Sequence, residues 1–279
     1  MKYIISFFVI ILTIISNTSF AGVFINTNKS ENFSDNLFLD NMTDENNVKN
    51  YKLIEGDILE KVYNKNNFSA PLNYSKHHWN NGIIYYSFKL FTHRNKYYKI
   101  RNFNQHEIDI IRHAMNELEK IADIKFIEVH HKPNHNYLEI MIDTGCFSGI
   151  GADYPQTVSL GEGCVYPHII QHELMHALGF LHEQSRADRH YYVRINKENI
   201  IPGKENNFEL GHNSTVQFGM YDYYSIMHYA LNAFSKDPRK LTIEPILSGV
   251  YWHYIGNVRN LSELDKYALQ RAYDKANYK

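Results

Sequence analysis

Residues 172–183 read HELMHALGFLHE, and this stretch decides the fold. It fits the pattern HExxHxxGxxH followed by a glutamate. Since 3.6 residues make one helical turn, His172 and His176 lie on one helix face, where two imidazoles can bind the same zinc ion. Gly179 tolerates the positive φ that ends a helix, so the chain can turn back and bring in His182 as third ligand. Three protein ligands with one open position are typical of a catalytic zinc site.

Glu173 follows the first histidine directly, where its carboxylate can reach a water at the metal and act as general base. The alternative is a buried helix that is rich in histidine by chance, since the chain holds 16 histidines. Core histidines seldom repeat at metal-ligand spacing, so the pattern favours a metal site.

Length and composition indicate a globular protein. A chain of 279 residues fits one large domain, or one domain with a smaller segment. Its net charge of -1 gives no indication of a nucleic acid or an anionic membrane as partner. We therefore expect no nucleic-acid partner. Because we see no adhesion module in the sequence, we also expect a monomer.

The N-terminus has the pattern of a secretory signal peptide. Lys2 supplies a positive charge, and Ile4 to Ile15 form an apolar run interrupted only by two hydroxyl residues. Ser19, Phe20 and Ala21 match a small-x-small cleavage site, which predicts cleavage after Ala21 and export. The apolar run is short for a membrane span, so no stable membrane anchor is expected, although an uncleaved signal anchor is the alternative.

Two cysteines, Cys146 and Cys164, make up the chain's whole complement. In an exported protein such a pair favours one disulfide bond, and two free thiols are the alternative.

The hydrophobic patterns predict an α+β domain that begins near Trp79. Asn104, with Glu107 three residues later, predicts a capped helix, and Pro167 is a favourable first residue for the helix that carries the zinc motif. The strands are predicted at 82–88, 125–130 and 137–142, and the helices at 104–121, from near Pro167, and at 263–274.

From the zinc motif outward, the chain resembles the astacin family of metzincin zinc endopeptidases. Residues 172–189 read HELMHALGFLHEQSRADR, which is similar to the family signature HExxHxxGFxHExxRxDR. Glu183, directly after the third histidine, distinguishes this family from other metzincins. The resemblance, over about residues 79 to 275, implies a two-lobed metzincin-type protease domain with a mixed sheet, an active-site helix and an irregular C-terminal lobe.

Residues 225–229 read SIMHY and resemble the Met-turn of the same family. The resemblance implies that Met227 forms an apolar floor beneath the zinc. It also implies that Tyr229 is a weak fifth zinc ligand, which swings away to hydrogen-bond the transition state. Arg186, Asp188 and Arg189 also fall within the signature. We expect them to form a scaffold network, and contact with substrate is the alternative.

The family has two disulfides, and the resemblance implies that Cys146 and Cys164 form one of them. The second joins a segment near Ala122 to the C-terminus. Here that site holds Asp123, and the tail around Tyr273 also lacks cysteine. Both partners are missing together, which leaves the clamp between the two lobes in question.

Residues 54–57 read IEGD and resemble the FxGD motif of astacin propeptides, with Ile in place of Phe. By this resemblance Asp57 binds the zinc in the latent form only, although a simple turn aspartate is the alternative. The implied organisation is a signal peptide at 1–21, a propeptide at 22–75 and a catalytic domain at 76–279. Activation would cut between about Lys61 and Lys76, and the new N-terminus would be buried against Glu183.

The resemblance implies one zinc ion per chain and a secreted endopeptidase that acts on proteins or peptides. Two other classes stay open. A binding protein with an inactive zinc site would have no need of Glu173 as a base. A zinc exopeptidase or other metal hydrolase usually draws a distant glutamate as its third ligand.

Overall fold

A computed structural model describes residues 51–61, 78–91, 101–153, 156–211 and 215–274. The predicted signal peptide, most of the predicted propeptide and nearly all of the predicted activation region lie outside these residues. Among the described residues, no helix combines the length and the apolar character needed to cross a bilayer.

The described part of the chain contains nine strands and three α-helices, which together form an α+β fold. They are β1 (Tyr51–Ile54), β2 (Ile58–Lys61), β3 (Ile83–Ser87), α1 (Gln105–Glu119), β4 (Lys125–Glu128), β5 (Leu138–Met141), β6 (Cys146–Gly149), β7 (Gln156–Leu160), α2 (Pro167–Ala177), β8 (Val193–Ile195), β9 (Ile243–Pro245) and α3 (Glu263–Ala272).

Seven strands form one mixed sheet in the order β1-β2-β6-β7-β5-β3-β4. Strand β3 runs parallel to β4 and β5, and β5 runs parallel to β7, whereas β6 is antiparallel to β7. All residues of β5 and β7 are buried, as expected for strands covered on both faces. The predicted mixed sheet is therefore confirmed, although the sequence patterns do not predict β6 and β7.

Helix α1 begins as its sequence predicts. The side chain of Asn104 accepts a hydrogen bond from the backbone N–H of Glu107, whose carboxylate in turn accepts from the backbone N–H of Asn104. This reciprocal capping satisfies two N–H groups that lack partners within the helix. The apolar stripe then buries Ile111 and Leu118 in the core between the sheet and α2.

Helix α2 carries the zinc motif through the interior. Pro167 is its first residue, and every position from Ile169 to Ala177 is buried. The helix ends where Gly179 adopts a φ of 101°, a conformation that favours glycine. The backbone N–H of Phe180 donates to the carbonyl of Met175 at 3.0 Å, which closes the turn that redirects the chain. This turn delivers His182 to the buried ends of the other two histidines.

The C-terminal lobe is irregular, as expected, with short 3-10 turns and a small sheet of β8 and β9. The two lobes are tied together without a second disulfide. Tyr273 is fully buried, stacks on His78 and donates its hydroxyl hydrogen bond to the carbonyl of Leu178 at the end of α2. Cys146 and Cys164 form the one disulfide found among the described residues.

Candidate metal centre

Four buried side chains meet at one point. Asp57 Oδ1 lies 3.3 Å from His182 Nε2 and 3.6 Å from His176 Nε2, and its Oδ2 lies 3.4 Å from His172 Nε2. All four ligand atoms lie within 4.8 Å of one another. The sequence places the three histidines on a helix and its following turn, whereas Asp57 arrives from a segment 115 residues earlier.

The tautomers of two histidines follow from their hydrogen bonds. The Nδ1 of His172 donates to the carbonyl of Ile226 at 2.8 Å, and the Nδ1 of His176 donates to the carbonyl of Phe180 at 2.7 Å. A carbonyl oxygen can only accept, so Nδ1 carries the hydrogen in both rings. Each Nε2 then presents a lone pair to the shared point, which is the orientation that metal-binding histidines require.

Asp57 and the histidines shift one another's pKa values. Burial alone would raise the pKa of Asp57, but the three neighbouring histidines lower it well below its usual range. Burial alone would lower the pKa of His182, but the charges of Asp57 and Glu55 raise it to about 9. The pKa of His176 is lowered by burial and by the other two rings. The charged form of Asp57, which is the form that ligates a metal ion, is therefore favoured at this point.

A zinc ion fits this arrangement. Ligands at about 2.0–2.2 Å from a tetrahedral zinc lie roughly 3.3–3.6 Å from one another, which matches the distances from Asp57 to the three rings. In the described part of the chain, Asp57 Oδ1 and the Nε2 atoms of His176 and His182 have no hydrogen-bond partner although they are buried. Buried polar atoms are nearly always paired, so three such atoms aimed at one point indicate a cation between them.

Asp57 is held in place by a hairpin of β1 and β2. The turn is formed by Glu55 and Gly56, both with positive φ, and a Cβ on Gly56 would approach Phe234 to 2.6 Å. Strand β2 pairs in parallel with the edge of β6, with Ile58 opposite Ser148. We name this hairpin, residues 51–61, the leader hairpin.

A sequence model of the Astacin peptidase family matches residues 72–274, which include the three histidines. The chain belongs to the astacin family. It is therefore a zinc metalloendopeptidase by family, as the resemblance implies. The Astacin-like metalloprotease toxin 1 of Loxosceles intermedia is 36% identical over 235 residues, covering 81% of this chain and 82% of that protein.

Zinc metalloproteinase nas-6 of Caenorhabditis elegans is 38% identical over 174 residues and covers 61% of this chain. The chain spans 49% of that relative's length. Among solved structures, High choriolytic enzyme 1, a hatching enzyme zinc-protease from Oryzias latipes, superposes with a TM-score of 0.59 at 35% identity. That match covers 72% of this chain and 96% of the solved one, so the astacin fold is confirmed.

In this astacin-family chain, Glu173 is fully buried, and neither of its carboxylate oxygens has a hydrogen-bond partner within the described ranges. Burial, with a smaller effect from the negative charge of Asp57, raises its pKa well above the usual value. A carboxyl group with a raised pKa in a metal pocket is suited to take up and release a proton.

Tyr229 contacts the leader hairpin. Its hydroxyl donates to the backbone carbonyl of Glu55, and its ring packs against that of His182 at 4.4 Å between centroids. The side chain of Gln184 accepts from the Tyr229 backbone N–H at 3.0 Å and so fixes the residue. The metal-ligand role of Tyr229 stays a prediction.

Hydrogen bonds to the first turn of helix α3 hold the Met-turn in place. Met227 is buried in the main core, and its N–H donates to the Ser225 hydroxyl at 3.0 Å. Ser225 donates in turn to the carboxylate of Asp265 at 2.6 Å, at the first turn of α3. The carbonyl of the same peptide unit, that of Ile226, accepts from His172. Thus α3 fixes the ring of the first histidine through one peptide unit.

The charged residues after the third histidine form a scaffold network, in line with the expectation from the sequence. Arg186 pairs with both oxygens of Asp188 at 2.9 Å and with Glu183 at 3.4 Å, and Arg189 donates to the Gln184 carbonyl at 2.8 Å.

Three residues that support the site are hardly indicated by the sequence. Gln184 lies in the signature only as an unspecified position, and Asp265 lies far from every motif. Glu55 is the unspecified position of the IEGD motif, yet its carboxylate lies 2.9 Å from the Nδ1 of His182. The motif locates the hairpin but gives this side chain no role.

Proposed function

We propose that this chain is the precursor of a secreted zinc endopeptidase that the leader hairpin keeps latent. The observation that carries the proposal is the meeting of Asp57 with His172, His176 and His182 at zinc-ligand distances. In this proposal, the three histidines hold the metal throughout, and Asp57 holds it only before activation.

Zinc, when bound, supplies a Lewis acid and lowers the pKa of a water molecule. Glu173 takes the proton from the attacking water and passes it to the leaving nitrogen of the peptide. Tyr229, released from the Glu55 carbonyl, donates a hydrogen bond to the developing oxyanion. Met227 supports the site from the core. Glu173 and Tyr229 therefore act on different atoms of the substrate.

Two features of the leader hairpin would keep the enzyme inactive. Asp57 would supply a fourth ligand to the zinc, and strand β2 covers the edge of β6, where its Leu59 lies opposite Gly149. An extended peptide substrate binds such an edge as an added strand. The leader hairpin thus excludes both the reacting water and the substrate.

Activation would remove the leader and bury a new N-terminus near Glu183. A cavity of about 130 Å³ borders Glu183 and Arg186, with Val216 and Phe218 in its lining. Burial, offset in part by Arg186, raises the pKa of Glu183 to about 8. A buried ammonium group in this cavity would pair with the carboxylate and favour its charged form.

We propose a signal peptide at 1–21, a propeptide at 22–75 and a catalytic domain at 76–279. The enzyme would act as a monomer on proteins or peptides, without a nucleic-acid partner or a stable membrane anchor.

Digestion of casein by the processed enzyme tests the proposal. Products are mapped by mass spectrometry, with and without a zinc chelator. We expect internal cleavages that the chelator abolishes and added zinc restores. Terminal trimming would instead identify an exopeptidase, and unchanged casein would identify a binding protein.

A further inference from the structure

The third histidine differs from the other two in the source of its hydrogen-bond partner. His172 and His176 donate from Nδ1 to backbone carbonyls of Ile226 and Phe180, which belong to the catalytic domain. His182 donates from Nδ1 to a carboxylate oxygen of Glu55 at 2.9 Å, and Glu55 belongs to the leader hairpin. One of the three rings is thus oriented by a segment that activation removes.

Glu55 is held firmly for this contact. Its side chain is buried and its carbonyl accepts from the Tyr229 hydroxyl. The same carboxylate oxygen also accepts, more weakly, from the backbone N–H of His182 at 3.4 Å. Its backbone has a φ of 46°, which is costly for a residue with a Cβ and far easier for glycine or asparagine. Strained residues of this kind cluster at functional sites.

We propose that Glu55 is a second carboxylate of the leader that strengthens zinc binding, and that it acts through His182. A carboxylate that accepts from Nδ1 fixes the ring and increases the basicity of Nε2 toward the metal. Asp57 would bind the ion directly, and Glu55 would strengthen the binding of the third histidine. The inference rests on the proposed function, in which the histidines hold zinc and the leader is later removed.

Leader removal then has two effects on the metal. It frees the ligand position of Asp57, and it removes the acceptor that orients His182. The precursor is therefore expected to hold zinc more tightly than the mature enzyme, by more than the loss of Asp57 accounts for.

The test measures the zinc dissociation constant of the full-length precursor by competition with a chromogenic chelator. Glu55→Ala, Glu55→Gln and Leu59→Ala are each made with Asp57 and with Asp57→Ala. Loss of an outer-shell partner weakens metal binding by about 10–100-fold. We expect Glu55→Ala to raise the dissociation constant by that factor in both backgrounds, and Glu55→Gln to raise it less, since its amide oxygen still accepts from Nδ1.

Leu59→Ala is the matched control for loosened docking of the hairpin. Leu59 is buried, and its partner in the strand pairing with β6 is Gly149. Because Leu59→Ala loosens the hairpin without removing either carboxylate, it should weaken zinc binding less than Glu55→Ala does in the Asp57→Ala background. Unchanged zinc affinity on adding Glu55→Ala to Asp57→Ala would overturn the proposal, because Glu55 would then act only by docking Asp57.

The absorption spectrum of the cobalt-loaded precursors shows whether each variant still assembles the site. A variant that retains a three-histidine spectrum with weakened affinity supports the proposal. If Asp57→Ala alone leaves the affinity unchanged while Glu55→Ala weakens it, the latency ligand is wrong and the role of Glu55 stands.

Discussion

At the scale of single residues, Glu173 is the side chain on which the proposed chemistry depends. It lies inside α2, fully buried, with both oxygens unpaired among the described residues. Replacement by alanine leaves the three histidines in place, so we expect the zinc content to stay at one ion per chain. Loss of a general base lowers turnover by about 10²–10⁴-fold.

Zinc analysis together with casein digestion checks this prediction. Glu173→Gln serves as a control that keeps the side-chain volume without the basic oxygen, and it should be equally slow. Wild-type-like turnover by Glu173→Ala would contradict the assignment of this residue as the base.

Asp57 gives a second prediction at this scale. Asp57→Ala removes the carboxylate that lies 3.3–3.6 Å from the three rings. We expect the variant precursor to lose its leader faster, because the metal site is then open to water. The time course of leader removal on a gel measures this, and an equally latent Asp57→Ala precursor would count against the switch.

The residues that the sequence predicts best are those whose chemistry is local. The three histidines and Glu173 follow from spacing along one helix and one turn. Asp57 needs a resemblance, since nothing in the spacing brings it to a helix 115 residues away. Glu55 and Gln184 escape prediction, because their contacts depend on how separate segments meet in space.

At the scale of elements, helix α3 supports the metal site from a distance. Ser225 links its first turn to the peptide unit that orients His172. Ser225→Ala leaves the buried Asp265 carboxylate short of a donor, which costs about 1–3 kcal/mol of unfolding free energy. We also expect weaker zinc binding, because the peptide beneath His172 loses its anchor.

Ser262→Ala is the matched control for this prediction. Ser262 caps α3, where its hydroxyl accepts from the Asp265 N–H at 2.9 Å and donates to the Asp222 carboxylate; among the described residues neither hydrogen bond reaches the Met-turn peptide. Its loss should cost about 1 kcal/mol with no change in zinc affinity. Thermal unfolding and chelator competition give the two quantities, and equal zinc affinities for both variants would refute the link through Ser225.

Elements are predictable where their signals are strong. The sequence predicts helix α1 at 104–121 and the structure has it at 105–119, since its capping box and apolar stripe agree. Strands β6 to β9 escape prediction. They are three to five residues long, and the fully buried β7 shows no alternation of buried and exposed residues.

At the scale of the whole molecule, His228 couples folding to pH. Burial lowers its pKa from 6.5 to about 4, while its ring accepts from the Tyr221 hydroxyl at 2.7 Å. The unfolded chain takes up a proton below pH 6.5 and the folded chain only near pH 4. Stability therefore falls as the pH drops through this window, by about 3 kcal/mol for this residue.

Urea unfolding between about pH 4 and pH 7 measures this contribution. His228→Gln cannot titrate, so its unfolding free energy should decline less steeply than that of the wild type over the same window. An equally steep decline in the variant would show that other groups account for the pH dependence.

In the proposed precursor, the three histidines and Asp57 of the leader together hold one zinc ion. Anomalous diffraction from crystals of the precursor, collected at the zinc edge, tests it most directly. We predict a single strong peak between the Nε2 atoms of His172, His176 and His182 and a carboxylate oxygen of Asp57, at about 2.0–2.2 Å from each. A peak elsewhere, or a zinc bound by the histidines with Asp57 turned away, would contradict the account.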